Sequence, residues 1–326
     1  MNAPLRPEPA DSRAESPAES KVMRGIGFKV ASVCVFVAMS SLLKAAEGIP
    51  LGQLVFFRSF FAIFPIVIYL AVTHQLSGVF HTRERLSHVW RGLVGVSAMC
   101  CSFFALTRLP LPEAIAINYA SPLFVVVFSA ILLHETVRIY RWSAVVVGLI
   151  GVMVILWPRL TVFSSGELGM EETLGALSAL AGAGLSAIAM LLVRRLVQTE
   201  RTPTIVIYFS ITSSVIALFT LPFGWVMPTP AQALMLVGAG FAGGIAQIFL
   251  TQCYRYAEMS TIAPFEYTSM LLSLAIGYLV FGDIPTIEML IGGVVVIGAG
   301  IFIIYREHRL AVAERNRRAL GAGRMS

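Results

Sequence analysis

Apolar runs alternate with short polar connections almost without pause from Gly25 to Tyr305. Each run is about 20 residues long, the length a helix needs to cross roughly 30 Å of hydrocarbon. The pattern predicts ten spanning helices, over 25–43, 51–73, 90–107, 113–133, 142–157, 172–193, 204–222, 231–253, 260–281 and 286–305. Pro50, Pro110, Pro112, Pro158, Pro203, Pro222, Pro228, Pro230 and Pro285 punctuate the connections, where a missing amide donor does least harm.

The fourth of these runs has a twin. Glu113 to Glu135 realigns 148 positions on with Thr261 to Asp283, which sets Tyr119 on Tyr267, Ser121 on Ser269, Asn118 on Glu266 and Glu135 on Asp283. Gly25 and Lys44 recur as Gly175 and Arg194 at an offset of 150, and Gly151 recurs as Gly300 at 149. A duplicated unit of five helices is odd in number, so the second copy enters the bilayer from the opposite side. The expected fold is therefore all-α and integral to the membrane, ten transmembrane helices as two inverted five-helix repeats. Its expected parts are a disordered cytoplasmic tail over 1–21, repeats over 22–160 and 161–305, and a basic cytoplasmic tail over 306–326. Inverted repeats are the signature of carriers that open a midplane site to each side in turn.

Composition agrees, with 57% hydrophobic residues, 13% charged ones and a mean hydropathy of +0.81, which excludes an ordinary soluble domain. The first 20 residues are rich in Pro, Ala, Ser and Glu and bury too little to order themselves; a cleavable signal peptide is not expected, because the first apolar run is full length. The net charge of +6 comes from short arginine clusters between spans, which are topology signals and exclude a nucleic-acid partner. With the amino terminus inside, the inner side holds nineteen Lys and Arg, Arg91 among them, against Lys44, Arg108 and Arg159 outside. Both termini are thus expected in the cytoplasm. Cys34, Cys100, Cys101 and Cys253 all fall within spans without metal spacing and read as packing residues.

Ionisable groups inside spans are the candidates for chemistry, since each costs on the order of 2.5 to 3.5 kcal/mol at the bilayer centre. Glu266 shares a helical face with Met270, Ser273 and Gly277; it suits proton uptake or a cationic substrate, or else a structural pairing with Arg58. Arg58, on a face with Ala62, Pro65 and Tyr69, suits an anionic or aromatic ligand. Lys29 is close enough to the inner surface to snorkel. Asn118 and Tyr119 precede Pro122, which frees a carbonyl one turn back, and offer solute contacts or interhelical hydrogen bonds. Gln247 lies on a glycine face with Gly240, Gly243, Gly244 and Thr251. Phe103, Phe104, Tyr208, Phe249 and Tyr267 suit stacking on a flat solute or plain packing. Glu135 and Asp283 end their helices in a structural role, whereas Glu113, Arg108, Glu167, Glu171 and Glu172 read as solvated outer-loop charges. His74, His81 and His88 recur every seven residues and read as surface. No nucleotide loop, nucleophile elbow or histidine metal pair is present, and no cofactor is implied.

These residues resemble the drug/metabolite transporter superfamily, in its EamA-type ten-helix form. The likeness is carried by FFRSFFA with Arg58, by the helix running from Ala114 and Ala116 through Ser121 and Pro122 to Glu135, by Gly148 and Gly151 in GLIGVMVI, and by Ala263, Pro264, Gly282 and Asp283 in the second half. It implies a bacterial inner-membrane carrier of a small organic metabolite, with riboflavin, an amino acid, S-adenosylmethionine and drug-like compounds as candidates. Arg58, Asn118, Tyr119, Gln247, Glu266 and Tyr267 are then the expected cavity residues, with membrane lipid and a second copy of the chain in a homodimer as candidate partners. The alternatives are an integral-membrane enzyme acting on lipid-linked substrates and a helper subunit without a cavity.

Overall fold

Leu, Ile, Val, Ala and Phe fill the runs, and in an apolar solvent a helix satisfies its own backbone, so every run folds as helix. A computed structural model describes residues 17–74, 76, 79–80, 82, 84–132, 139–165, 170–196, 199–256 and 263–322. Glu135, His81, Arg83, Arg138, Glu167 and most of the amino-terminal tail lie outside the described residues.

The helices are α1 (Pro17–Ala45), α2 (Leu51–Val72), α3 (Arg85–Leu106), α4 (Leu111–Asn118), α5 (Ser121–Leu132), α6 (Ile139–Ser165), α7 (Met170–Leu196), α8 (Thr202–Leu218), α9 (Pro230–Tyr256), α10 (Thr268–Ile276) and α11 (Ile287–Ala322). A 3-10 turn over Ala263–Tyr267 leads into α10, and a π-type turn over Gly277–Phe281 follows it. No strand occurs among the described residues. Seven stretches, with α4 and α5 counted as one, are long and apolar enough to cross a membrane. Three shorter apolar helices, Pro203–Leu218, Phe265–Phe281 and Ile287–Ile303, stand beside them.

Several boundaries differ from the sequence expectation. The expected start at 25 becomes Pro17, and the expected end at 305 becomes Ala322, because the flanking Ala, Arg, Glu and Leu are good helix formers that continue the hydrogen-bond ladder out of the apolar zone. The 306–326 tail thus begins as helix. The helix expected to stop at 157 runs through Pro158 to Ser165.

The main packing pairs are α1 with α9, α3 with α7, α6 with α11, and α2 with both α8 and α9, with α3 on α8 and α10 on α4 beside them. If α1, α2, α3, α4–α5 and α6 are exchanged for α7, α8, α9, α10 and α11, these pairs map onto one another. Small residues set the contacts, because apolar side chains gain little by leaving lipid and close backbone approach must supply the attraction. On α7, Ser178 and Gly182 meet α3: the Ser178 hydroxyl donates to the Cys101 carbonyl at 3.0 Å and a Cβ on Gly182 would stand 3.1 Å from Cys101, while the buried Ala176, Ala179, Ala183 and Ala187 form a stripe one position further round the helix. Where α6 crosses α11, a Cβ on Gly151 would stand 2.9 Å from the Gly292 carbonyl oxygen, so only glycine permits that approach. Large apolar side chains such as Ile68, Val72, Leu86, Trp90, Trp157, Leu234 and Leu271 lie outside, where lipid would solvate them.

Candidate functional site

The middle of the bundle is shaped by two broken helices. Between α4 and α5 the ladder tightens at Tyr119 and Ala120, whose amides reach back only three residues, to Ala116 at 3.2 Å and Ile117 at 3.0 Å. Pro122 has no amide to offer the Asn118 carbonyl, so the ladder also loses a bond at this point. The counterpart break is the 3-10 turn over Ala263–Tyr267, ahead of α10.

The breaks meet through their tyrosines. The rings of Tyr119 and Tyr267 pack edge to face at 5.2 Å and 69°, and the Tyr119 hydroxyl is hydrogen-bonded to the Ser269 hydroxyl. Ser269 Oγ also donates to the Glu266 carbonyl at 2.7 Å. The Tyr267 hydroxyl lies against Gly300 of α11, where a side chain would collide with it.

Beside this knot, Lys29 Nζ of α1 forms an ion pair with Glu266 Oε2. Lys29 does not snorkel: α1 starts eight residues before the expected point, which carries the lysine deep into the bundle, where it is 3% exposed. The Glu266 side chain remains 52% exposed and takes Lys29 rather than Arg58 as its partner. Glu266 also leaves the face of Met270 and Ser273, both buried, because the 3-10 turn advances faster than an α-helix and rotates it away. Asn118 is exposed like its counterpart Glu266.

Gln247 lies apart from the tyrosines, in a cleft lined by Ile66, Tyr69, Leu70, Pro203, Val206 and Gln252. Gln252 Nε2 is hydrogen-bonded to the Tyr69 hydroxyl, joining α9 to α2. On the same face of α9, Gly240 lies against Phe57 and Phe61, and Gly244 against Ala62 and Pro65.

Arg58 is 8% exposed in α2, and its Nε has no hydrogen-bond partner. Its guanidinium carbon is 5.9 Å from the centre of the Phe209 ring. Arg91, read from sequence as an inner-loop charge, sits inside α3 because that helix begins at Arg85, and it lies 4.2 Å from the same ring. His88, read as surface, is 3% exposed and stacks on Tyr208 at 4.7 Å, for the same reason. These two residues were missed because a helix start among Arg, Leu, Ser and His carries no capping signal.

The end of the bundle where α1 stops carries a second tie. Lys44 Nζ donates to the Leu109 carbonyl at 2.5 Å and stands 3.9 Å from Asp283 Oδ2, which accepts the Leu111 amide at 3.0 Å. Glu113, expected to be solvated, is 5% exposed in the first turn of α4 and acts electrostatically on Lys44. Arg108 pairs with Glu171 at 2.5 Å and covers the Phe104 ring at 4.0 Å. Of the other aromatics, Phe103 is buried in the core and Phe249 packs on Phe28 at 5.9 Å.

Residues 23–157 and 173–306 each match the model of the EamA-like transporter family. Among similar proteins, the pseudopaline exporter CntI of Pseudomonas aeruginosa (strain UCBPP-PA14) is 29% identical over 281 residues, 85% of this chain and 94% of the exporter. The S-adenosylmethionine uptake transporter of Rickettsia prowazekii is 27% identical over 257 residues, 79% of this chain and 84% of that one. The riboflavin transporter of Vibrio cholerae is 27% identical over 299 residues, 90% of this chain and 97% of that one. One solved crystal structure has a TM-score of 0.61 at 19% identity, covering 88% of this chain and 98% of its own, a likeness of fold alone.

Proposed function

The chain belongs to the EamA-like transporter family, within the drug/metabolite transporter superfamily, and from that membership we propose that it carries a small organic metabolite across the bacterial inner membrane by alternating access. One observation carries the reading: two helices broken at equivalent points of the two halves meet through Tyr119, Tyr267 and Ser269, next to the intramembrane Lys29–Glu266 pair. Such breaks offer polar backbone where a helix lines a wet cavity. Asn118, Tyr119, Glu266 and Tyr267 line the solute path in this reading, with Gln247 and Arg58 on its wall. The ten-helix count, the inversion of the repeats and the cytoplasmic placement of both termini belong to the same proposal. The exchange symmetry of the helix pairs supports them.

The Lys44–Asp283–Leu111 tie then lies at the outer face and holds it closed, while the Tyr69–Gln252 contact lies toward the cytoplasm. The relatives are named for pseudopaline, S-adenosylmethionine and riboflavin, and a small organic solute with several polar groups suits this wall. The family points away from an enzyme.

Flux in proteoliposomes made with this polypeptide alone tests the proposal. Uptake or counterflow of riboflavin, S-adenosylmethionine or an amino acid supports it; a chain that moves none of them nor any solute of a cell extract, or that instead turns over a lipid-linked substrate, is no carrier. Proton carriage by Glu266 is a separate element, and it fails if Glu266→Gln transports at an unchanged rate and pH dependence.

A further inference from the structure

Arg58, buried, and Arg91, half-buried, are two cations with no carboxylate in ion-pair contact among the described residues. Both guanidinium groups rest on the ring of Phe209, at 5.9 and 4.2 Å, so the two charges can stand no further apart than those distances together allow. They repel one another. The Nε of Arg58 and the Nε and Nη1 of Arg91 are buried without a hydrogen-bond partner, as are the hydroxyl of Ser59 next to Arg58 on α2, Nε2 of His88 one turn before Arg91 on α3, and the hydroxyl of Ser213 one turn after Phe209 on α8. Gly95 lets Arg91 and Phe209 pack directly on the α3 backbone, since a Cβ there would stand 2.7 Å from the ring edge.

Buried, like-charged and unpaired groups destabilise a protein unless something of opposite charge completes them. The described carboxylates nearby are already engaged: Glu84 accepts from Ser87 at 2.7 Å, Glu200 accepts from Thr82 at 2.7 Å, and Glu266 holds Lys29. Two guanidinium forks meet on one ring between α2, α3 and α8, and such a fork matches the planar oxygens of an oxyanion.

We propose that the crevice between α2, α3 and α8 binds a carboxylate of the transported solute, with Arg58 and Arg91 as its two cationic clamps and Phe209 as the floor on which both forks are held. This deepens the transporter reading by giving the solute a negatively charged end, and it rests on that reading for the identity of the occupant. Phosphate or a lipid headgroup could supply the same oxyanion chemistry, so the test separates the sources.

Thermal unfolding of the chain in phosphatidylcholine nanodiscs is followed with succinate, acetate, glutamate and inorganic phosphate, and with uncharged succinamide as control, at constant ionic strength. At least one carboxylate should raise Tm, and succinamide should not. Arg58→Gln and Arg91→Gln should each abolish the carboxylate shift with basal Tm unchanged or raised, because each relieves the repulsion; Arg58→Lys should keep a reduced shift. The inference is overturned if no carboxylate shifts Tm, if phosphate alone does, or if the shift survives in both Gln variants. It is also overturned if phosphatidylglycerol in place of phosphatidylcholine raises Tm and removes the carboxylate response, which assigns the crevice to lipid. Should the Gln variants not fold, the wild-type comparison of carboxylates with succinamide decides alone. None of these results depends on flux, so a carrier that binds no carboxylate is told apart from a chain that carries nothing.

Discussion

Glu266→Gln should destabilise the chain more than Lys29→Met, because the ion pair is buried on one side only. Lys29 is 3% exposed, whereas the Glu266 side chain is 52% exposed. Taking the charge from Glu266 strands an ammonium in the interior, a change that costs about 3 to 5 kcal/mol for a fully buried pair. The glutamine carbonyl still accepts a hydrogen bond and the site is half open, so we expect the low end, about 2 to 3 kcal/mol. Lys29→Met keeps the stem's volume and leaves a carboxylate that solvent can reach, for a cost of about 1 kcal/mol or less. The double variant Lys29→Met/Glu266→Gln removes both charges and should fall near the lysine variant alone, a coupling of roughly 2 to 3 kcal/mol. Reversible unfolding of the four proteins by SDS titration in mixed micelles measures the cycle. A lysine variant that loses as much as the glutamine variant, or a double variant that loses their sum, would refute the one-sided burial.

Three further substitutions report on other contacts. Gly151→Ala puts a Cβ 2.9 Å from the Gly292 backbone oxygen, and the helices α6 and α11 must separate, for a loss of about 1 to 3 kcal/mol seen as a lowered Tm. Asp283→Ala leaves the Leu111 amide without its acceptor and Lys44 without its acid, for about 1 to 3 kcal/mol, whereas Asp283→Asn keeps the acceptor and should lose less in the same unfolding assay. Tyr119→Phe removes the hydroxyl that meets Ser269, costs only about 0.5 to 1.5 kcal/mol in stability, and should reduce flux in proteoliposomes further than that loss explains.

Apolar length is a property of a single helix and repetition of the chain, and for that reason the apolar helices, the twofold repeat and the alignment of Tyr119 with Tyr267 were legible in the sequence. Partners were not. The register of α1 against the second half decides that Glu266 meets Lys29 instead of Arg58, and register between helices lies in packing that no one helix encodes. The depth of Arg91 and His88 depended on where α3 begins, six residues before Arg91, in a stretch without a capping residue. Glu113 looked like a loop charge because two prolines and an arginine precede it, yet Pro110 and Pro112 start a helix whose first turn is buried and acts on Lys44. Proline marks the start of a helix as readily as its end.

The two halves share a frame and differ in chemistry, and the differences fall at matched points. Arg58 of α2 rests on the ring of Phe209 of α8, the matching helix of the other half, which has no charge at the counterpart of Arg58: at the repeat offset of 150 that position is Tyr208. Glu266 is the counterpart of Asn118, and both are exposed while the tyrosines that follow them pack together. An acid at both positions would leave Lys29 able to neutralise only one. A duplicated membrane bundle can hold few ions near its centre, since each needs a partner or water. One member of the Asn118/Glu266 pair is charged and the other is not, so in the carrier proposed above a pseudo-symmetric scaffold presents the solute with a wall that is chemically one-sided.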